Sequence, residues 1–492
     1  MDNQTTVDER MLGWSLGELL GGQRPGDLAA VVVARARAGA VPRAWPSRRS
    51  GAARWPAAAL IVIGIGAIVG TALLRPRAGD RLAVQPQQPA PAAPPQESEP
   101  VIVHTAAELA ALPPLTVALR VQGLTAAEFE LLPSLPQLEA LDLSLLEPGG
   151  MEAITAATLQ VAARSPALRV LLLDGHREVQ GEWLARLGGL ARLERLGLAY
   201  VQGGAAAVAN LAKLPSLRHL DLAMDQTLTD ADVKTLAAAL PGLRSLSLRG
   251  CGGLHAEGLQ CLRDLRQLEL LDLGWLTGVD LGSKLATVQK PSLLGTVTRM
   301  LLAEVTASGA GQAIVGDELL TALAASPKLQ TLRLAGSTGV TAAGWKSLMK
   351  SLALRELVLD DTKAGDELLA DLPVGLRRLG LARTLVSDAG LKLITDRFVE
   401  LEALDVTACR GLTDAGLLPL LAVRAFKALV LRGCSGLSAA TVEPLLLQHA
   451  LEELDVSGCK WVDDAAARQL AALPRMRKFT NQRGGNAIFL PK

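Results

Sequence analysis

The clearest pattern along this chain is a short phrase of alternating apolar and polar residues that returns at a fixed interval. Each copy reads as a half-buried strand, and a stretch with helical spacing follows it. Three consecutive copies are Leu401-Glu-Ala-Leu404-Asp-Val406-Thr-Ala-Cys409, Phe426-Lys-Ala-Leu429-Val-Leu431-Arg-Gly-Cys434 and Leu451-Glu-Glu-Leu454-Asp-Val456-Ser-Gly-Cys459. The second apolar residue of each phrase, which we call the anchor, recurs every 25 residues here.

The same frame continues toward the N-terminus with slightly varying spacing. Further anchors are Leu379, Leu357, Leu332, Met300, Leu271, Leu246, Leu220, Leu196, Leu171 and Leu141. Weaker copies around Leu119 and Phe479 flank the array, which gives about 14 units over residues 101–482. Such a period predicts a stacked solenoid, because one unit is too small to bury its apolar face alone.

Each unit predicts a strand, a turn and a helix. Thr125 with Glu128, and Thr229 with Asp232, fit capping boxes at helix starts. Plain N-caps are predicted at Thr155, Thr341, Ser387, Thr413, Ser438 and Asp463. Right-handed crossovers place such strands in one parallel sheet with the helices outside it. We therefore expect an α/β, right-handed solenoid shaped as a horseshoe, with a concave parallel sheet and convex helices.

The turn after the strand carries a second recurring feature. Cys409-Arg-Gly-Leu-Thr-Asp-Ala-Gly-Leu417 has counterparts in Cys251-Gly-Gly-Leu-His-Ala-Glu-Gly-Leu259 and Thr384-Leu-Val-Ser-Asp-Ala-Gly-Leu391. In these phrases residues 101–482 resemble leucine-rich repeat proteins of the cysteine-containing subtype, as found in the substrate-binding arrays of F-box proteins. The resemblance implies that the array binds a protein.

Four of the five cysteines occupy one position of the repeat, where the chain turns inward after the strand. They are Cys251, Cys409, Cys434 and Cys459. A small, weakly polar side chain there satisfies buried loop backbone, and burial among apolar residues raises a thiol pKa. We interpret these cysteines as structural turn residues and not as nucleophiles or disulfide partners.

The first 100 residues have a different composition. No charged residue occurs from Trp55 to Leu74, and the apolar run from Ala57 to Leu74 is long enough to cross most of a bilayer core of about 30 Å. Residues 55–74 therefore predict a single transmembrane helix. Arginines are more numerous before this segment than after it, which favours a cytoplasmic N-terminus and extracytoplasmic repeats in a cell membrane.

Short segments flank the predicted membrane helix and the array. Residues 75–100 are rich in Pro, Ala and Gln and predict an extended linker, and residues 483–492 form a C-terminal tail. Residues 1–54 form a short head that resembles the cytoplasmic heads of bacterial membrane-anchored, anti-sigma-like regulators; a topogenic segment is the alternative. The excess of Arg over Lys and the abundant Ala are typical of a GC-rich, bacterial coding sequence.

Composition and motifs argue against several functions. The net charge is +1 and aromatic residues make up only 3% of the chain, so nucleic acid is not an expected partner. The five histidines are scattered, and Cys-x-x-Cys pairs, nucleophile elbows and phosphate-binding loops are absent. We expect no catalytic residues, no metal site, no cofactor and no enzymatic activity.

A protein ligand of unknown identity is the expected partner of the sheet surface. The spacing loosens after the anchor Leu271, and insertions in solenoids often map to a binding face. The candidate binding patch there consists of Leu270, Asp272, Trp275, Leu301 and Arg333. An aromatic residue beside an arginine is typical of binding hot spots; ordinary solvated surface is the alternative interpretation.

Together these observations predict a non-enzymatic, membrane-anchored protein-interaction module. Two alternatives remain at the level of sequence: an F-box-like substrate-recognition adaptor for protein modification, and a membrane regulator with the repeats as sensor and the head as output. Gly66 and Gly70 form a small-x-x-x-small pair, so the membrane helix has a possible route to homodimers.

Overall fold

The computed structural model describes residues 100–145, 150–151, 153–279, 281, 298, 301, 314–348, 350–351, 353–483 and 486–487. These residues belong to the unit Ser98–Lys492, one of two into which the chain divides. The predicted head, the membrane helix at residues 55–74 with Gly66 and Gly70, and the linker up to residue 99 lie outside the described residues. Among the described helices, none has the length and apolar character needed to span a membrane.

Fifteen parallel strands form a single sheet in which spatial order follows chain order. The strands are β1 (Val101–Val103), β2 (Ala118–Val121), β3 (Ala140–Asp142), β4 (Val170–Leu172), β5 (Arg195–Gly197), β6 (His219–Asp221), β7 (Ser245–Ser247), β8 (Leu270–Asp272), β9 (Thr331–Arg333), β10 (Glu356–Val358), β11 (Arg378–Gly380), β12 (Ala403–Asp405), β13 (Ala428–Val430), β14 (Glu453–Asp455) and β15 (Lys478–Thr480). From β2 onward each anchor pairs with the next anchor, for example Leu404 with Leu429. A small antiparallel pair, β16 (Gln482–Arg483) and β17 (Asn486–Ala487), follows.

A helical segment follows most strands. The α-helices are α1 (Ala106–Ala110), α2 (Ala126–Phe129), α3 (Ala156–Ala162), α4 (Gly204–Leu211), α5 (Asp230–Ala239), α6 (Ala256–Leu259), α7 (Asp317–Ala324), α8 (Ala342–Leu348), α9 (Asp366–Leu369), α10 (Asp388–Arg397), α11 (Asp414–Val423), α12 (Val442–Leu446) and α13 (Asp464–Ala471). Segments of 3₁₀ helix cover Gly181–Gly189, Gln260–Asp264 and Ala439–Thr441. The predicted strand, turn and helix unit is confirmed.

The core lies between the sheet and the helices and runs continuously through the array. In one repeat it contains the anchor Leu404, the flanking Leu401 and Val406, and Leu417 and Leu420 from α11, all buried. Neighbouring strands lie about 4.8 Å apart, whereas packed helices need about 8 to 10 Å. This difference favours curvature of the array toward the sheet.

One predicted repeat does not exist. Strand β8 pairs directly with β9, Leu271 opposite Leu332, so the sheet has no strand between them for the predicted anchor Met300, which itself lies outside the described residues. Instead, 58 residues separate Asp272 from Thr331, and the described residues Thr298 and Leu301 are helical. The prediction was wrong because a short apolar run such as Met300-Leu301-Leu302 fits strand and helix periodicity equally well. At the other end, β1 is an additional strand that the frame did not predict.

Adjacent helices are joined by a recurring contact at their N-termini. The predicted N-cap Thr413 is confirmed, since its side chain accepts the N–H of Ala415. Asp388, the first residue of the preceding helix α10, accepts the backbone N–H of Thr413 at 2.8 Å and its hydroxyl at 2.5 Å. Asp366 binds Ser387, and Asp317 binds Thr341, in the same way.

A glycine in the following helix makes room for each of these aspartates. A Cβ atom on Gly416 would lie 2.4 Å from Oδ1 of Asp388, and one on Gly390 would lie 2.3 Å from Oδ1 of Asp366. The recurring sequence Thr-Asp-Ala-Gly-Leu therefore connects neighbouring repeats. Its Asp accepts hydrogen bonds from the N-cap residue of the next repeat, and its Gly leaves room for the Asp of the previous repeat.

We expect Gly416→Ala to destabilise the array by about 1 to 3 kcal/mol, because the added methyl group overlaps the Asp388 carboxylate. In an unobstructed helix the same change stabilises by up to about 1 kcal/mol. Gly188→Ala is the matched control, since no atom lies within 4 Å of a Cβ there. Urea unfolding followed by circular dichroism measures both variants. Equal stabilities for the two would show that this contact is not tight in solution.

Candidate binding surface on the sheet

The face of the sheet opposite the helices, which we call the sheet face, carries two side chains per strand, one on each side of the anchor. In β12 these are Ala403 and Asp405, both partly exposed, while the anchor Leu404 between them is buried. Because the strands are in register, side chains at equal positions line up in columns along the array. Each column can therefore be assigned a role.

The column directly after the anchor contains five aspartates, and these act as turn caps. Each accepts, through Oδ1, the backbone N–H two residues further along at 2.8 to 3.0 Å. The pairs are Asp142 with Ser144, Asp221 with Ala223, Asp272 with Gly274, Asp405 with Thr407, and Asp455 with Ser457. The sequence signal is an Asp two residues before a small residue, and the sequence analysis did not use it.

Two repeats have glycine after the anchor and obtain the same cap from the preceding repeat. Asp174 accepts the N–H of Ala199 at 2.8 Å, and Asp360 accepts the N–H of Ala382 at 2.9 Å. The glycines involved are Gly197 and Gly380, where a Cβ would lie 2.7 Å and 2.9 Å from these carboxylates. A glycine after the anchor therefore leaves the turn without a cap from its own repeat, and it also leaves room for the aspartate of the preceding repeat that caps the turn instead.

The substitute caps lie in a desolvated and acidic environment. The pKa of Asp174 is raised to about 7, mainly by burial and also by the Asp221 and Asp142 carboxylates, while the hydrogen bond from Ala199 opposes the shift. Burial, with a contribution from Asp405, raises the pKa of Asp360 to about 6. Near neutral pH these groups take up protons in the folded protein that they would release when unfolded.

We expect Asp174→Asn to reduce the pH dependence of stability. The pKa of Asp174 in the folded protein lies above its unfolded value, so its ionisation lowers stability as the pH rises from about 4 to about 7. Relative to the wild type, the free energy of unfolding of the variant should be larger at pH 8 than at pH 5 by on the order of 1 to 3 kcal/mol. Urea unfolding at both values measures this.

The control for this experiment is Asp264→Asn, since the Asp264 side chain is 70% exposed. Its effect on the free energy of unfolding should be the same at pH 5 and pH 8. An Asp174→Asn variant that also gave equal differences at the two pH values would contradict the assignment.

The fourth residue after each anchor has positive φ in every repeat from β4 to β14. This left-handed column contains Gly175, Tyr200, Met224, Gly250, Trp275, Gly336, Asp361, Arg383, Ala408, Gly433 and Gly458. Its amides continue the ladder beyond the strands; for example, Trp275 N–H donates to the Ala335 carbonyl at 2.6 Å. The non-glycine members each cost about 1 to 2 kcal/mol of backbone strain, which packing of their side chains must offset.

Three bulky members of this column form a second hydrophobic cluster. Tyr200, Met224 and Trp275 are buried there together with Leu281. Met224 lies over Gly250, where a Cβ would be 2.2 Å from its sulfur, and the Trp275 ring lies over Gly336, where a Cβ would be 2.5 Å from Cε3. Met224 and Trp275 thus each occupy the space left by the glycine of the next repeat.

Residues from the insertion between β8 and β9 complete this cluster. The Tyr200 hydroxyl donates to Oγ1 of Thr298 at 3.1 Å, and the Leu281 N–H donates to Oε1 of Gln226 at 3.1 Å. Leu301 packs against the cluster and is partly buried. The described part of the insertion thus contacts repeats as far back as β5.

The structure keeps the residues of the predicted binding patch near one another, since Asp272 pairs with Arg333 and Leu301 packs against the cluster of Trp275, but it engages most of them within the array. Trp275 is only 5% exposed, because its left-handed backbone directs the ring onto the next repeat; an exposed aromatic anchor was the wrong expectation for it. Leu301 joins the same buried cluster, and Asp272 is a turn cap. Arg333 pairs with Glu356 at 2.8 Å, and Leu270 is half-buried on β8.

The four turn cysteines are buried and donate to backbone carbonyls of the preceding repeat. Sγ of Cys251, Cys409, Cys434 and Cys459 lies 3.0 to 3.2 Å from the carbonyls of Leu222, Leu381, Val406 and Leu431, respectively. Burial raises their pKa, in Cys434 to about 12, so the thiols stay protonated. All five cysteines of the chain are free.

Histidine can occupy the same position of the repeat. His176 is buried, and its Nε2 lies 2.7 Å from the Leu143 carbonyl, which is equivalent to the carbonyls bound by the thiols. In this repeat an imidazole therefore takes the place of the thiol as the donor to that carbonyl. Among the residues that the structure describes, no three His, Cys, Asp or Glu side chains are placed to hold a metal ion.

Comparison with known proteins finds similarity at the level of solved structures. No protein-family model and no curated protein matches the sequence. Among solved structures, the yeast Rad7–Elc1 complex matches with 17% identity and a TM-score of 0.45, over 62% of this chain and 72% of that chain.

Two further matches have similar identities. An internalin, InlF, from Listeria monocytogenes matches with 16% identity and a TM-score of 0.32, over 71% of this chain and 81% of its own. The mouse RP105–MD-1 complex matches with 17% identity and a TM-score of 0.35, over 64% of this chain and 47% of that chain.

Proposed function

We propose that this chain is a non-enzymatic protein-interaction module that binds its ligand on the sheet face. The observation that carries the proposal is the uninterrupted ladder of fifteen strands in register. Each strand presents a side chain on either side of its anchor, and these side chains form columns along the ladder. At about 4.8 Å per strand the ladder extends over roughly 65 to 70 Å. A protein interface of standard size buries about 800 Å² on each partner, which a surface of this length accommodates.

The assignment of the strand residues argues against catalysis on this face. The aspartates after the anchors, together with Asp174 and Asp360, accept backbone N–H groups, and the turn thiols are buried and protonated. A general base or a nucleophile needs a reactive group that reaches a substrate. In the described array these groups are engaged in turn caps or in contacts between repeats.

The surface available to a partner is divided by the insertion. The second cluster, with Leu281 and Leu301, contacts residues from β5 through β10 at the carboxyl ends of the strands. Strands β11 to β15 lie beyond this cluster, and Arg378 of β11 is exposed there. We assign the larger part of the interface to these C-terminal strands and to the amino ends of the others.

The module is held at a membrane in this proposal. The charge-free segment at residues 57–74 serves as a single transmembrane helix, the more basic head is cytoplasmic, and the repeats are extracytoplasmic at the end of the proline-rich linker. A linker of this composition is extended and separates the array from the bilayer. The membrane restricts which ligands reach the sheet face.

Site-specific photo-crosslinking tests the assigned face. Benzoylphenylalanine at Ala403 or Ala428, both on the sheet face, should cross-link to a protein ligand. The same residue at Ala465 or Gln469, exposed on α13, should not. Cross-links that arise mainly from α13 would place the interface on the helical side and contradict the proposal.

Removal of residues 57–74 tests the membrane assignment. We expect the shortened chain to leave the membrane fraction and to keep its circular dichroism spectrum, because repeat contacts are between nearest neighbours. Carbonate extraction followed by immunoblotting measures the partition. Persistent carbonate-resistant association of the shortened chain would show that another segment binds the membrane.

A further inference from the structure

A column of charged side chains lies two residues before the anchors, at the amino ends of the strands. From β3 to β15 it reads Glu139, Arg169, Glu194, Arg218, Arg244, Glu269, Gln330, Arg355, Arg377, Glu402, Lys427, Glu452 and Arg477. Opposite charges alternate over most of its length and form ion pairs between repeats. The closest approaches are Lys427 with Glu402 at 2.8 Å and Arg169 with Glu194 at 2.9 Å.

The alternation fails at two places, where an arginine is followed by another arginine in the next repeat. At each break the first arginine turns toward its own backbone. Nη1 of Arg218 donates to the Leu217 carbonyl at 3.0 Å, and Nη1 of Arg355 donates to the Leu354 carbonyl at 3.0 Å. Two like charges are thereby kept apart along the column.

A glycine in the following repeat gives each of these guanidinium groups its space. A Cβ on Gly242 would lie 2.8 Å from Nη1 of Arg218, and one on Gly375 would lie 3.0 Å from Nη1 of Arg355. Both glycines stand four residues before an anchor, a position that other repeats fill with residues such as Ser216, Gln267 or Glu400. At each break the glycine of the following repeat therefore leaves room for the arginine side chain.

The first break borders a cavity of about 250 Å³, lined by Glu194, Ser216, Arg218, His219 and Arg244. The Glu194 carboxylate is already bound by Arg169, through Nε at 3.2 Å and Nη2 at 2.9 Å. In the described array the ion-pair partner of Arg244 is Glu269, at a distance of 3.8 Å. Arg218 and Arg244 can thus donate to a further hydrogen-bond acceptor.

His219 adds a neutral polar group to this cavity. Burial lowers its pKa, and the nearby Arg195 and Arg244 guanidinium groups lower it further against the opposing effect of Glu269 and Glu194. At neutral pH its ring therefore contributes a hydrogen-bond donor and an acceptor without adding charge.

We propose that this cavity, which we call the arginine notch, binds side-chain carboxylates of an acidic segment of a partner protein. The planar guanidinium matches a carboxylate in a two-point contact. The rim acids Glu194 and Glu269 disfavour a doubly charged phosphate more than a singly charged carboxylate. The assignment of the ligand to a protein rests on the proposed function.

The second break supplies a matched control. Arg377 has two carboxylates within reach, Glu400 at 3.5 Å and Glu402 at 3.9 Å, so its charge is already compensated. Arg355→Gln removes the same kind of backbone contact as Arg218→Gln without touching the notch. Both variants are checked for intact folding by circular dichroism and thermal unfolding.

Isothermal titration of the purified full chain at low ionic strength tests the proposal. The probes are N-acetylated, C-amidated hexaglutamate, the corresponding hexaglutamine, and inorganic phosphate. We expect hexaglutamate to bind more tightly than both other probes. Arg218→Gln with Arg244→Gln should weaken its affinity at least tenfold, and Arg355→Gln should change it less than twofold. Binding should also weaken as salt is added.

Three results would overturn the arginine notch: equal binding of hexaglutamate and hexaglutamine, an unchanged affinity in the folded double variant, or tighter binding of phosphate than of hexaglutamate. These outcomes leave the sheet-face cross-links from Ala403 and Ala428 unaffected, so they do not bear on the proposed function. Conversely, hexaglutamate binding that depends on Arg218 and Arg244 supports the notch even where those cross-links fail.

Discussion

Pairing of anchor with anchor across neighbouring strands is the interaction on which the rest of this structure depends. A repeat of about 25 residues has a strand of three residues and a short helix, and neither element can bury its apolar side within the repeat. Stacking in register solves this for every repeat at once, because the buried leucines form a continuous core. The same register aligns all other positions into columns, so equivalent residues of successive repeats lie next to one another along the whole array.

The residues of each column then form hydrogen bonds with backbone groups that the short strands leave unpaired. Aspartates cap the turn after the strand, left-handed residues extend the ladder, and buried donors such as Cys434 or His176 reach a carbonyl of the preceding repeat. Helix N-termini are joined by the aspartate of one copy, which contacts the N-cap residue and the glycine of the next. Most polar side chains of the described strands and turns are thus used for stacking. The charged column at the amino ends departs from this rule at its two arginine breaks.

Local patterns were sufficient to predict the repeat frame, the parallel sheet, the helix caps and the buried position of the thiols, since each depends on residues within one repeat or on strict periodicity. Features that depend on neighbouring repeats were not predicted. Met300 matched the frame, but β9 pairs with β8. Trp275 was expected on the surface, although its position four residues after an anchor, shared with Gly250 and Gly336, marks a left-handed turn. The cap by Asp174 required knowing that Gly197 lies beside it.

Direct contact between β8 and β9, across 58 intervening residues, is the central structural claim, because a continuous sheet face requires it. Amide hydrogen exchange of the Leu332→Ala variant tests this contact, because loss of the buried side chain destabilises the strands that pack against β9. We predict faster exchange, relative to the wild type, on both sides: in residues 268–273 and in residues 354–359. Faster exchange in residues 354–359 alone, with residues 268–273 unchanged, would contradict the account.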